Sequence, residues 1–280
     1  MGAGRFLVSD RYSVFDWGEM PDHLEGKGTA LCLMGAYCFE QLEKQGVKTH
    51  YRGIVNNLGK TVTLPEGFSI FKRLAHGKVT QNDLGLDHQP QPSETVTNPI
   101  FDVSTKLEET DRYITWAKAK EISSITDQEL DDIKTVLLKA DTTITKVAAN
   151  ACLKNENGEI EIAFNDQHKL MLVDVLGTLD EFRFTFQGLH VSKELAHQFY
   201  NKTQWRTDVE HAKKDAEPKD VKNWKTLYNS QPTLLDCKLK TIISQMYMVA
   251  ANEMTKKHLF DAPKLANSID NYKGYIGEKA

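Results

Sequence analysis

The sequence contains little cysteine, with only four in 280 residues. None of the four forms a Cys-x-x-Cys pair, and their spacing does not match a zinc site. This scarcity argues against a disulfide-stabilised scaffold and against a cysteine-ligated metal centre. We expect four buried thiols that act as small apolar side chains in a reducing compartment. They are Cys32, Cys38, Cys152 and Cys237.

Long apolar runs and blocks of charge are also missing. No run reaches the roughly 20 apolar residues that span a bilayer, and no signal peptide precedes Asp10. The net charge is −4, and the 35 Lys and Arg residues are spread along the chain, which argues against a nucleic-acid groove. We therefore expect a cytoplasmic protein without nucleic-acid or membrane partners. Its length allows one large domain or two lobes.

The most informative stretch lies near the start. An apolar strand is predicted over Arg5–Val8, and Asp10–Asp16 then places two acids, one arginine and one serine close together. Gly26-Lys27-Gly28 and a helical apolar pattern follow. Charged groups at the end of a buried strand are costly unless they are paired, and functional residues often lie in such loops. The alternative is a polar turn between a strand and a helix.

The order of residues in this stretch favours a functional site over a polar turn. Ser-Asp-Arg-x-Ser-x-Phe-Asp followed by Gly-Lys-Gly resembles the signature of the SAICAR synthetases (phosphoribosylaminoimidazole-succinocarboxamide synthases). The resemblance implies an α+β fold with antiparallel sheets, helices and a central cleft between two lobes, at residues 1–98 and 99–280. It also implies an ATP-dependent ligase that joins L-aspartate to carboxyaminoimidazole ribonucleotide, giving SAICAR in purine biosynthesis. A homo-oligomer is possible.

The resemblance implies roles for the polar residues of this stretch. Asp10, Arg11 and Asp16 are expected to be catalytic, while Ser13 and Lys27 are expected to bind substrate. We expect Asp10, Arg11, Ser13 and Asp16 to line the floor of the cleft with their side chains partnered.

Two further segments resemble substrate-binding parts of the family. Glu66–Leu74 is similar to its Gly-Ser-x-x-Lys-Arg-Leu segment, and a hydroxyl with two cations suits a ribose 5′-phosphate. Pro99–Arg112 is similar to the segment near the imidazole and carboxylate of the nucleotide. A solvated helix start and a charged loop are the alternatives. The implied substrate-binding residues are Ser69, Lys72 and Arg73, and the implied catalytic residues are Lys106 and Asp111.

A β-hairpin carries the second specific resemblance. Glu159–Phe164 alternates polar and apolar residues, and Lys169–Val175 is an apolar strand that contains Asp174 near its end. In the family, paired strands present two acids to magnesium (Mg2+), which commonly takes one or two carboxylates plus substrate phosphates. Asp174 matches one ligand. Glu161 is the implied second ligand, although strict counting places Ala163 there, and an exposed strand acid is the alternative.

The segment after the hairpin resembles the family's Pro-Asp-x-x-Arg turn. It implies that Arg183 contacts the nucleotide phosphate and that Asp180 supports it. The implied cofactors and substrates are therefore Mg2+ and ATP, with aminoimidazole ribonucleotide and L-aspartate.

The chain departs from the family in two places. We expect Met1–Gly4 to be a mobile start in place of the usual phosphate-covering hairpin, and the stretch between His50 and Gly67 is short. A nucleotide-binding protein without ligase activity, or an ATP-using enzyme with another acceptor, is the alternative function.

The remaining patterns predict scaffold elements. A capping box at Thr126 opens a long helix, and Asn157-Gly158 is predicted to be a turn. His50 is interpreted as a local hydrogen-bonding residue, and the C-terminal tail carries no clear pattern. Helices are predicted over Thr29–Lys44, Ser192–Lys214 and Pro232–Lys257, with Gly46 ending the first of them. Strands are predicted over Val47–Val55 and Thr61–Leu64, with a turn at Asn56–Gly59 between them.

Overall fold

The computed structural model describes residues 3–5, 8–55, 58–62, 101–105, 113–165, 167–216 and 223–278. The helices in this part are α1 (Lys27–Glu43), α2 (Trp116–Ser123), α3 (Asp127–Ala149), α4 (Glu194–Tyr200), α5 (Gln204–Ala216), α6 (Cys237–Thr255) and α7 (Leu265–Glu278). The strands are β1 (Ala3–Arg5), β2 (Ile54–Val55), β3 (Leu58–Val62), β4 (Val103–Ser104), β5 (Tyr113–Ile114), β6 (Lys154–Gly158), β7 (Glu161–Phe164), β8 (Leu170–Val173), β9 (Phe182–Phe186) and β10 (Leu189–His190).

The strands pair antiparallel in small sheets, in the orders β1-β3-β2, β10-β9-β6, β4-β5 and β7-β8. Together with the helices, they confirm the predicted α+β class. The predicted lobe boundary at residue 98 lies outside the described residues, and it stays a prediction. No helix within the described ranges is both long and apolar enough to span a bilayer.

The first sheet corrects two expectations. Ala3 and Gly4 pair with Val62 and Thr61, so this part of the predicted mobile start is a strand. Gly59, which was expected in a turn, pairs with Ile54 inside the same sheet. Pairing along β3 explains both differences. Backbone pairing between strands satisfies N–H and C=O groups that a short sequence window leaves unassigned.

Local signals placed two helix ends correctly. Thr126 and Glu129 form the predicted capping box at the start of α3, with each side chain bonded to the other residue's backbone N–H. Gly46 follows α1 with φ of +78°, a conformation that glycine adopts without a steric penalty.

The C-terminal helices were predicted less well. The expected helix over Ser192–Lys214 is divided into α4 and α5, and Thr203 between them donates its hydroxyl proton to the carbonyl of Tyr200. The tail forms α7, which packs on α6 and buries Leu265 and Ile269. Their spacing of four residues is helical, so the sequence contained a signal for α7.

Packing overturned two other expectations. Asn157 and Gly158 lie in β6, where a Cβ on Gly158 would stand 2.1 Å from the Phe182 ring. Glycine is therefore needed for close packing and not for a turn. Cys152 and Cys237 are exposed, whereas Cys32 and Cys38 are buried as expected.

The segment after α1 is joined to β8. Thr49 and Leu172 form a parallel bridge, in which His50 N donates to Leu172 O at 3.0 Å and Leu172 N donates to Lys48 O at 2.9 Å. The predicted strand over Val47–Val55 is thus a single bridge followed by β2. The residues after β8 lie close to α1, since a Cβ on Gly35 would stand 3.5 Å from the Val175 side chain.

Candidate functional site

A cavity of about 310 Å³ lies where the opening stretch, α1 and the segment after β8 meet. One part of its wall is apolar and includes Leu31, Ala36 and Phe39. The other part is charged or titratable, so the cavity can receive a ligand with a charged end and an apolar end. Its charged or titratable lining residues are Arg11, Lys27, Cys32, His50, Tyr51, Asp174, Asp180 and Glu181.

Asp10 determines how α1 begins. Its carboxylate accepts hydrogen bonds from Gly26 N at 3.1 Å and from Gly28 N at 2.8 Å, so it satisfies N–H groups that a helix start leaves free. A Cβ on Gly28 would lie 2.4 Å from the carbonyl oxygen of Val8. The Gly26-Lys27-Gly28 motif therefore permits close approach between the start of α1 and the backbone of Val8 and Ser9. This approach places Lys27 at the cavity wall.

Lys27 forms a buried ion pair. Its Nζ donates to Asp180 Oδ2 at 2.6 Å and to the carbonyl oxygen of Arg11 at 2.9 Å, and its side chain is 3% exposed. Tyr247 donates to the other oxygen of Asp180 at 2.6 Å. Burial acts to raise the pKa of Asp180, but the charges of Lys193 and Lys27 and the two hydrogen bonds outweigh it. The pKa therefore lies below its ordinary value.

The other residues of the opening stretch have different surroundings. Arg11 is exposed at the cavity, where its Nε donates to Ser9 Oγ at 2.9 Å. Ser13 accepts a hydrogen bond from Gly18 N and lies outside the cavity lining. Asp16 also lies outside it, exposed and paired with Lys213 at 2.6 Å.

The expected cleft floor is therefore only partly assembled. Arg11 lines the cavity, Asp10 acts behind it through the helix start, and Ser13 and Asp16 face elsewhere. The physical reason is a turn at Phe15 and Asp16, which both have positive φ, 54° and 60°. This turn directs the end of the stretch toward α5.

Asp174 follows β8 and lines the cavity. Its φ is +58°, in the left-handed region that few non-glycine residues adopt, and its side chain is exposed. Such conformations concentrate at functional sites. Glu161 pairs with Val173 in the ladder and is not among the described residues that line the cavity. The structure thus does not bring the two expected metal ligands together in the cavity.

Arg183 also lies outside the lining. It donates to the carbonyl oxygen of Asp180 at 3.0 Å, and its Nε is 4.0 Å from Glu194. Five expected site residues fall outside the described ranges, namely Ser69, Lys72, Arg73, Lys106 and Asp111.

Sequence reasoning left several titratable residues of the cavity unassigned, among them Glu181 and His50. Burial raises the pKa of Glu181 to about 7, and the charges of Asp174 and Asp180 add to the rise. Burial lowers the pKa of His50, whose Nδ1 lies 3.3 Å from the carbonyl oxygen of Leu172. An acid beside Asp180 was a visible signal for Glu181. His50 carried no local signal, because the bridge to β8 places it here.

Within the described part of the chain, no group of three or more His, Cys, Asp or Glu residues is arranged to hold a metal ion. A magnesium site made from one carboxylate and substrate phosphates does not need such a group. Asp174 provides a carboxylate of the required hard-oxygen type at the cavity.

Sequence comparisons identify the family. The family model described as SAICAR synthetase matches residues 4–222. A putative phosphoribosylaminoimidazole-succinocarboxamide synthase from Archaeoglobus fulgidus is 36% identical over 97% of this chain and 94% of that protein. A phosphoribosylaminoimidazole-succinocarboxamide synthase from Thermoplasma volcanium is 30% identical over 76% of this chain and 83% of that protein.

Solved structures agree on the fold. SAICAR synthase from Saccharomyces cerevisiae, in complex with SAICAR, has a TM-score of 0.67 at 17% identity, over 91% of this chain and 90% of that one. A SAICAR synthetase in complex with ADP has a TM-score of 0.56 at 18% identity, over 81% of this chain and 91% of that one. The chain belongs to the SAICAR synthetase family.

Proposed function

We propose that this SAICAR synthetase family member is an ATP-dependent ligase that joins L-aspartate to carboxyaminoimidazole ribonucleotide, giving SAICAR for purine biosynthesis. The observation that carries the proposal is the match to the Archaeoglobus fulgidus relative along nearly the whole of both chains. Two SAICAR synthetases of similar fold were solved in complex with ADP and with SAICAR, which are both products of this reaction.

The charges of the cavity support anionic substrates. The exposed guanidinium of Arg11 and the ammonium of Lys27 both line the cavity, although Asp180 compensates Lys27 at 2.6 Å and Glu19 pairs with Arg11 at 3.4 Å. A phosphate or carboxylate gains charge-assisted hydrogen bonds from such groups. The chain's own contribution is to bind and orient the reactants, because the reaction passes through phosphoryl activation of a carboxylate followed by attack of the aspartate amine.

Mg2+ fits the proposal through Asp174. When bound, the ion would offset the negative charge of the ATP phosphates. Asp174 is the ligand we propose, with substrate phosphates completing the coordination. Glu161 lies on the neighbouring strand and lacks a place in the cavity lining, so we do not give it an equal role.

The other expected roles remain part of the proposal. Arg183 is assigned to the nucleotide phosphate together with Ser69, Lys72 and Arg73, and Lys106 and Asp111 are assigned to the imidazole end of the nucleotide. Asp10 is assigned a supporting role through α1. A cytoplasmic location and a homo-oligomer stay predictions.

A reconstituted assay tests the proposal. The purified chain is mixed with ATP, Mg2+, L-aspartate and carboxyaminoimidazole ribonucleotide, and SAICAR and ADP are quantified by mass spectrometry. We expect SAICAR and ADP in equal amounts, and no SAICAR when any one component is left out. Asp174→Asn should lose most of the turnover, whereas the matched change Asp16→Asn, outside the cavity, should keep it.

Two other outcomes separate the alternatives. ATP binding without ADP formation would favour a nucleotide-binding protein without ligase activity. ADP formation without SAICAR would favour an enzyme that uses another acceptor.

A further inference from the structure

A buried hydrogen-bond chain connects α6 to the cavity wall. The hydroxyl of Tyr247 donates to Asp180 Oδ1 at 2.6 Å, and Asp180 Oδ2 accepts from Lys27 Nζ at 2.6 Å. Lys27 continues the chain to the carbonyl oxygen of Arg11 at 2.9 Å. Tyr247 is itself completely buried and is not among the described residues that line the cavity. These hydrogen bonds therefore link α6 to the Lys27 ammonium and to the backbone of Arg11.

The direction of the first bond follows from its neighbours. The backbone N–H of Lys193 lies 3.0 Å from the Tyr247 hydroxyl oxygen, and a backbone N–H can only donate. The hydroxyl must accept that bond, so its single proton is available for Asp180. Burial raises the pKa of Tyr247 well above its ordinary value, which keeps this proton on the oxygen. Tyr247 is therefore a fixed donor.

The fixed donor restricts the next two groups. With donors on both oxygens, the Asp180 carboxylate cannot rotate without breaking a buried hydrogen bond. Lys27 is tied to this carboxylate and to Arg11, and an ammonium has three N–H donors. Two are used by the described residues, which leaves one for a group that enters the cavity.

We propose that Tyr247 is a positioning residue of the ligase site, which holds Asp180 so that the Lys27 ammonium meets the anionic ribonucleotide in one place. This inference rests on the proposed function. Tyr247 touches neither substrate nor reacting atoms, and its hydroxyl acts through Asp180. Its ring also faces the Lys27 ammonium, 5.4 Å from Nζ to the ring centroid, and Tyr247→Phe keeps that contact. Tyr247 lies among the buried residues of α6.

Tyr247→Phe removes only the hydroxyl, and Tyr272→Phe is the matched control. Tyr272 is similarly buried and donates to Gln198 Oε1 at 2.8 Å, on α7 and away from the cavity lining. We expect Tyr247→Phe to raise the KM for carboxyaminoimidazole ribonucleotide about tenfold, the size of one modest hydrogen bond to a charged group. The kcat and the KM for ATP should change by less than about twofold. Tyr272→Phe should leave all three constants unchanged.

A purely structural role for Tyr247 predicts a different pattern. Both phenylalanine variants would then lower thermal stability alike, and any loss of activity would appear in kcat through a smaller folded fraction. That pattern would overturn the inference.

A double-mutant cycle adds a second criterion, because Tyr247→Phe should have little further effect on KM once Asp180→Asn is present. Additive effects would contradict action through Asp180. If Tyr247→Phe does not fold, the KM of Asp180→Asn for carboxyaminoimidazole ribonucleotide tests the inference instead. An unchanged KM would refute the role of the hydrogen-bond chain.

A measurement without turnover separates this inference from the proposed function. Reductive methylation with peptide mass spectrometry reports the reactivity of Lys27, with the exposed-pair residue Lys213 as an internal reference. We expect Lys27 to be protected in the wild type and modified several-fold faster in Tyr247→Phe, but not in Tyr272→Phe. A wild type that makes no SAICAR refutes the proposed function, and unchanged Lys27 reactivity in Tyr247→Phe refutes the positioning role.

Discussion

The Lys27–Asp180 pair and the Lys213–Asp16 pair join the same groups over the same distance but lie in different surroundings. Nζ and Oδ2 are 2.6 Å apart in both pairs. The side chains are 3% and 16% exposed in the first pair, against 35% and 85% in the second. Both aspartates were expected site residues, and only Asp180 lines the cavity.

This difference decides what each pair can contribute. A buried pair cannot lose one partner cheaply, because the remaining charge stays in a medium that solvates it poorly. An exposed pair exchanges its partner for water and ions, so it contributes little to stability. The distance between the two charged groups therefore does not indicate how much an ion pair contributes to stability. The burial of the two side chains does indicate it.

The largest effect is expected from removing the buried cation. Lys27→Met should lower the free energy of unfolding by about 3–5 kcal/mol, because Asp180 is left with an uncompensated charge. Lys213→Met is the matched control and should cost less than about 1 kcal/mol. Urea denaturation of both variants measures the contrast, and equal losses would remove it.

Asp180→Asn should cost about 2–4 kcal/mol at neutral pH, since the amide keeps the shape but not the charge that faces Lys27. The folded-state pKa of Asp180 lies below the ordinary value of 3.8. Its stabilisation is therefore present at pH above 3.8 and is lost as the pH falls through the folded-state pKa. Wild type and variant should converge in acid, as followed by thermal unfolding across a pH series. A constant difference at every pH would exclude the charge as the cause.

Glu181, next to Asp180, should give stability the opposite dependence on pH. The pKa of Glu181 is raised from 4.5 to about 7, so the folded state holds the proton more tightly and stability falls as the pH rises between these values. Glu181→Gln should remove this loss and stabilise the protein by about 1–3 kcal/mol at about pH 8, with little effect near pH 4.5. Calorimetric unfolding at the two pH values measures it, and destabilisation at the higher pH would refute the prediction.

The smallest effect is expected at the exposed acid. Asp16→Asn should change the free energy of unfolding by less than about 1 kcal/mol, and about 1 M salt should abolish the difference because exposed charges are screened. Denaturation at low and high salt provides the measurement. A large loss that persists in salt would show that the surface pair resembles the buried one after all.

Patterns within short segments were predictable from the sequence. The capping box at Thr126 joins residues three positions apart, and the hairpin that pairs Glu161 with Val173 follows from adjacent strands with a polar turn. The sequence motifs around Asp10 and around Asp174 identified the family, which the comparisons confirmed. Such signals survive in a linear sequence because both partners lie within one segment.

The sequence by itself therefore determined the family, the α+β class and the local helix and strand signals. The tertiary structure decided which polar residues meet. Lys27 reaches Asp180 across 153 positions, and Tyr247 reaches it across 67. The same motif contains Asp10, which caps α1, and Asp16, which faces α5 at the surface. The physical reason is that burial and hydrogen-bond partners depend on packing between distant segments, and a residue's type and its spacing to its neighbours do not specify that packing.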